Sequence, residues 1–271
     1  MSKLNKIIFV TFDRVTSPVT EPDNAEYMEL WSSWLSIADR PARARIRHCE
    51  KLVGRYTRQL SQVFGDEANP LLATVAQAHS FMGNAMSEIG DLNAEDILIS
   101  SVLEAFRAGY PLVCFYCLQG LALFYQKQKD YESAVIVHMI TGKVISYLDS
   151  ALFALLIERL AFSLSYVSKF GDVSAMLYEW SSFVGNSPVH SMYMRCKRLA
   201  DSGADELLLE ELIVADDAPI WEIARGYAAS KVLGDSHVMS QLLQRGSEAA
   251  ERSGNLIWIR SFEHEQGRTR Q

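Results

Sequence analysis

Apolar residues along most of this chain recur every three to four positions, in runs of about 15–22 residues, and that spacing predicts amphipathic helices. Leu118, Ala122 and Tyr125 fall at i, i+4 and i+7 and so share one face of one such run. No sustained alternation of apolar and polar residues follows residue 15, so strands are not expected there. Helix starts show as side chains suited to satisfying free backbone N–H groups. Asp23 and Glu26 in "DNAE" read as a capping-box variant. Asn69 before Pro70, Asn93 before Glu95 and Asp96, Ser187–Pro188 and Asp217–Ala218–Pro219 read as further starts. The pattern predicts about a dozen helices joined by short turns, an all-α fold. Residues 1–22 stand apart as an arm and linker, with a short strand predicted over Ile7–Phe12 before "TSPVTEP".

Acidic turns recur among these helices. "IGDLNAED" (89–96), "QKDYESAV" (128–135) and "FGDVSAML" (170–177) each place a small residue three or four positions after an aspartate. Ala94, Ala134 and Ala175 are 40 and 41 residues apart, and Tyr125 and Tyr166 each precede their alanine by nine. "RGYAASKVLGDSHVMS", with Tyr227 and Gly234–Asp235, is a weaker fourth copy. A period in this range predicts stacked helix pairs, because a lone pair cannot bury its apolar face.

Ala122, Tyr125, Asp130, Tyr131 and Ala134 resemble the core of a tetratricopeptide repeat: a small residue and an aromatic on the first helix, an acidic turn, and an alanine early on the second. Ser163, Tyr166, Gly171, Asp172 and Ala175 are similar to the same positions in a second copy. The resemblance covers roughly residues 75–255, closely for two copies and loosely for two more. It departs from the family in a period near 41 rather than 34 and in lacking the proline after the second helix. What it implies is a right-handed superhelix, an α-solenoid of antiparallel helix pairs over residues 23–267, with 268–271 left as a short basic tail. Physically, the small residues would let helices approach closely, Tyr125 would fill the groove between them, and Asp130 would cap the second helix.

Composition changes this picture little. The chain is 271 residues long, 49% hydrophobic and 22% charged, as expected of a folded protein rather than a disordered one. Its net charge of −7 disfavours nonspecific nucleic-acid binding. Cys49, Cys114, Cys117 and Cys196 are too scattered for a disulfide framework, which fits a cytoplasmic setting. The apolar run in "MSKLNKIIFVTFDRV" is about six residues, short of a signal-peptide core. Ala108–Gln126 is uncharged for 19 residues, yet Pro111, Gln119, Gly120 and Gln126 favour a buried helix over a membrane span.

Candidate chemistry is thin. Cys114 and Cys117 form a CxxC without the further ligands that zinc needs or the βαβ setting of a redox site, so they read as packing cysteines. His138 lies one turn past Ala134 and reads as a core residue. Glu210–Glu211 and Asp216–Asp217 read as solvated surface and a helix cap. No catalytic residues, metal ligands or cofactor motif are assigned.

One charged pattern remains. Arg43, Arg47, Lys51 and Arg55 recur at i+4 steps with Arg58 at i+3, and all five line one helical face. It reads either as solvated surface or as a docking stripe for an acidic partner. Trp31 and Trp34 precede it, as core residues or as an anchor beside it. The expected function is a noncatalytic interaction module, an adaptor, chaperone or regulatory protein that holds a protein or peptide. A peptide-sensing regulator of transcription or signalling, and an all-α enzyme with a pocket between helices, are the alternatives.

Overall fold

In the computed structural model, Gly109 and Pro111 show how this sequence turns. The helix Ala94–Ala108 is capped by Gly109, whose φ of 80° is a left-handed conformation that a Cβ disfavours. Tyr110 is extended, as a residue before proline tends to be. Pro111 then opens the helix Pro111–Lys127, where its missing N–H forfeits no helical hydrogen bond. The uncharged stretch 108–126 is therefore a helix end, a turn and a new helix, not one continuous helix. No helix among the described residues is long and apolar enough to cross a membrane.

The structure describes residues 4, 7, 21–144, 150–164, 166–167, 173, 177–181, 193–194, 196–197, 214–215, 218, 220–253, 259, 262–263 and 265–267. Its helices are α1 (Ala25–Ile37), α2 (Ala42–Leu60), α3 (Ala68–Glu88), α4 (Ala94–Ala108), α5 (Pro111–Lys127), α6 (Tyr131–Gly142), α7 (Ser150–Leu164), α8 (Ile220–Leu233) and α9 (Ser236–Ser253). No strand occurs among the described residues. Ile7, the first residue of the expected strand, is helical, and its N–H donates to the Leu4 carbonyl at 2.9 Å. The rest of that strand lies outside the described residues, as do Asp172, Ala175, Ser187–Pro188, Glu210–Glu211, Asp216–Asp217 and the tail. The chain packs as two compact units, Met1–Leu156 and Ile157–Gln271, with the division inside α7.

In the first unit α3 is the central element. It packs against α1, α2, α4 and α5, and 12 of its 21 residues are buried, which leaves it little solvent face. Small residues permit this. A Cβ on Gly83 of α3 would lie 2.6 Å from Leu98 Cγ of α4. One on Gly120 of α5 would lie 2.8 Å from Ser80 Oγ and 2.7 Å from Asn84 Nδ2 of α3. Leu30, Cys49, Leu52, Tyr56, Val75 and Phe81 close the core among α1, α2 and α3. Burial of each such large apolar side chain contributes about 1.5–3 kcal/mol. Further along, α5 packs against α3, α4 and α6. Ala122 and Ala134 are fully buried on α5 and α6.

Three turns share one geometry. Gly90, Lys129 and Gly234 have φ of 70°, 61° and 72°. The aspartate that follows each donates its N–H to a carbonyl five residues back: Asp91 to Met86, Asp130 to Tyr125 and Asp235 to Ser230. This satisfies a carbonyl that the ending helix leaves free. Two of the aspartates then start the next helix, Asp130 accepting from the Ser133 N–H at 3.1 Å and Asp235 from the Val238 N–H at 3.0 Å. Asp91 instead accepts from the Asn93 N–H at 2.9 Å. These turns align Tyr125 with Met86 and Ser230, and the turn that follows Tyr166 lies outside the described residues.

Other starts differ from expectation. Asn24, not Asp23, precedes α1, and its side chain donates to Glu26 instead of capping. Asn69 and Pro70 lie inside α3, which begins at Ala68 straight after the 3-10 turn Gly65–Glu67. That turn already directs the chain into a helix, so no side-chain cap is made there.

In the second unit α8 packs on α9 around Ile223, Tyr227, Leu242, Leu243, Ala250 and Phe262. Tyr227 and Lys231 both donate to Glu265, at 2.8 Å and 2.6 Å. Tyr166 is half-buried and its ring lies 5.2 Å from Phe162.

Candidate functional site

The α2 helix exists because Cys49, Leu52 and Tyr56 fall on one face and are buried against α1 and α3. The same periodicity turns its arginines outward. Arg43, Arg47 and Lys51 are exposed and make no ion pair among the described residues. The lower part of the predicted stripe differs. Arg55 forms a 2.7 Å ion pair with Glu29 of α1, donates to Tyr56 Oη at 2.9 Å, and lies 4.7 Å over the Tyr56 ring. Arg58 is exposed, and its Nε donates to the Gly54 carbonyl of its own helix at 3.0 Å. Of the five, only Arg55 is paired with an acid among the described residues, while Arg58 is held to the backbone of its own helix and Arg43, Arg47 and Lys51 stand exposed in a row.

The seam between α1 and α2 is polar at its rim. Glu29 meets Arg55 and, one turn further along α1, Ser33 Oγ hydrogen-bonds His48 Nε2 of α2. His48 is half-buried, and burial first, then Arg40, Lys51 and Arg55, hold its ring below the ordinary pKa, with Glu29 opposing. Arg45 points away from the stripe, pairs with Glu88 of α3, and lies 5.6 Å over the Trp34 ring. Sequence reasoning missed the Ser33–His48 and Glu29–Arg55 links. The i,i+4 spacing of Glu29 and Ser33 on α1 is the signal that could have found them.

Trp31 and Trp34 are resolved as core closure. Trp34 stacks on Phe81 with centroids 4.4 Å apart and 6° between planes. Trp31 meets Phe81 edge-on at 5.0 Å and Tyr116 of α5 at 5.4 Å. Both indoles are half-buried against the α1–α2–α3 core, which removes them as a free anchor beside the stripe.

The repeat residues bring hydrogen bonds rather than chemistry. Tyr125 is buried with its hydroxyl donating to Glu95 of α4 at 2.8 Å, so it ties α5 to the helix before it. His138 is fully buried between α5 and α6, with Gln119 and Gln126 within 3.5 Å and 3.4 Å of its two ring nitrogens. His79 Nδ1 lies 2.7 Å from Glu104 Oε2, bridging α3 and α4.

The CxxC is interior. Cys114 and Cys117 are both fully buried on α5, and Cys117 Sγ lies 3.7 Å from the Ala76 carbonyl. Burial pushes Cys117 up to about 12 and Cys114 well up, the reverse of what a thiolate nucleophile requires. Among the described residues, no three His, Cys, Asp or Glu side chains converge as a metal-holding group. Elsewhere burial raises the Glu158 carboxyl and lowers Arg159 to about 10 on α7.

No protein-family model, curated protein or solved structure matches this chain.

Proposed function

We propose that this chain is a noncatalytic interaction module, and that the outer face of α2 holds an acidic protein or peptide segment. The observation that carries this reading is the row Arg43, Arg47 and Lys51, exposed and making no ion pair among the described residues, with Glu50 as the one acid beside it on α2, on a chain of net charge −7. Steps of four residues at 1.5 Å spread the row over about 12 Å, the reach of about four residues of extended peptide. A carboxylate-bearing segment fits it better than a polyanionic duplex, which the net charge repels at longer range.

Support for a repeat architecture comes from the neighbour pattern. Three pairs follow one another: α1 with α2, α3 with α4, α5 with α6. The first helices touch in series, α1 with α3 and α3 with α5, and each second helix touches the next first helix, α2 with α3 and α4 with α5. Stacked hairpins require those contacts. On this reading the first unit is a tetratricopeptide-like array with α2 on its outer side, and the protein works as an adaptor or regulator in the cytoplasm.

The test is fluorescence anisotropy with a labelled ten-residue aspartate peptide at low salt, on the wild-type chain and Arg47→Glu/Lys51→Glu. Both positions are exposed, so the fold is retained. Binding is expected to weaken by about tenfold or more in the double variant, and to weaken with added salt in the wild type. Equal affinity for the two proteins discards the α2 face as the docking surface.

A further inference from the structure

We infer that His48 couples the α2 face to pH, so that an acidic segment docks more tightly as protons become available, by protonation of this one ring. This rests on the docking role proposed above for the same face.

The placement of the ring is the argument. His48 follows Arg47 directly and stands one turn before Lys51, on the flank of the cationic row that faces α1. Its Nε2 is bonded to Ser33 Oγ across the seam. A hydroxyl both donates and accepts, so Ser33 serves a bare nitrogen or an N–H equally, and protonation need not break the link. The charged groups acting on the ring are Arg40 in the turn before α2, Lys51 and Arg55 on α2, and Glu29 on α1. Partial burial first, and then cations that outnumber the one acid, hold the free ring below its usual value of 6.5.

A docked row of carboxylates offsets those cations. The ring then gains what it lacks in the free protein, and its pKa rises on binding. The sign follows. Complex formation takes up a proton, so affinity is flat well above the bound-state pKa. It climbs as pH falls through the interval between bound and free values, and levels off below the free one. A rise of half a unit to one unit corresponds to an affinity gain of about threefold to tenfold.

The test is the same anisotropy titration with the ten-residue aspartate peptide, on the full chain, from pH 8 to pH 5.5 at fixed ionic strength. The probe's carboxylates, with pKa near about 3.9, stay ionised across this range. Wild type is expected to gain about threefold to tenfold in affinity toward acid. His48→Gln, whose amide can still bond Ser33, is expected to match wild type at pH 8 and to lose the slope. His79 and the other histidines are common to both proteins, so their titration cancels in the comparison. Equal slopes in the two proteins overturn the proton coupling and leave the docking face standing. Absence of binding at every pH by folded protein overturns the docking face and the coupling together.

Discussion

Lys129 has the backbone twist of Gly90, with φ of 61° against 70°, and each stands immediately before a turn aspartate. Glycine takes this conformation freely, whereas a Cβ costs about 1 kcal/mol or more there. Lys129→Gly is therefore expected to stabilise the chain by about 0.5–1 kcal/mol, and Gly90→Ala to destabilise it by about 1 kcal/mol. Urea unfolding of the three proteins measures both. A destabilised Lys129→Gly variant would show that the lysine side chain makes up for its backbone.

Two helical glycines should respond in opposite directions. Gly54 on α2 has open space where a Cβ would go, so Gly54→Ala is expected to add about 0.5–1 kcal/mol through helix propensity. At Gly83 the added carbon meets Leu98, which is fully buried and has no room to retreat. Gly83→Ala is expected to remove about 1–3 kcal/mol and to push α4 away from α3. Thermal melts of the pair distinguish close packing from a general intolerance of substitution.

Thiol reactivity separates packing from chemistry at the CxxC. Burial pushes Cys49 up to about 12 and raises Cys114 and Cys117 with it. At mildly alkaline pH, iodoacetamide is expected to label these three residues about a hundredfold more slowly in folded than in urea-unfolded protein. Peptide mass mapping reads each site. Rapid labelling of Cys114 or Cys117 in the folded state would return the pair to consideration as a reactive site.

The helical pattern was legible because a 3.6-residue period states which face each segment buries, and local chemistry marked some boundaries well. Asp130 could be read as a cap because an aspartate three residues before a free N–H has one obvious use. Asn69 misled because the 3-10 turn at Gly65–Glu67 opens the helix first, and a turn of that kind leaves no periodic signature. The cationic face was legible in outline from α2 alone. Which cations stay free was not, since Arg55 is tied down by Glu29 on another helix and Arg45 is drawn to Trp34 and Glu88. Those pairings depend on tertiary approach, and spacing along one segment carries no record of it. At the turns that follow Gly90, Lys129 and Gly234 the backbone geometry recurs while the residue at the Tyr125 position differs, because Tyr125 is set by its reach to Glu95 on another helix.

The central place of α3 bears on how the chain acquires its shape during synthesis. Nascent α1 and α2 leave the ribosome with Leu30, Cys49 and Tyr56 still lacking the surface that covers them, because Val75, Phe81 and Met82 follow them through the exit tunnel. Neither helix can settle until Glu88 has cleared the exit tunnel, so this region is exposed to proteases and chaperones for the time taken to translate one further helix.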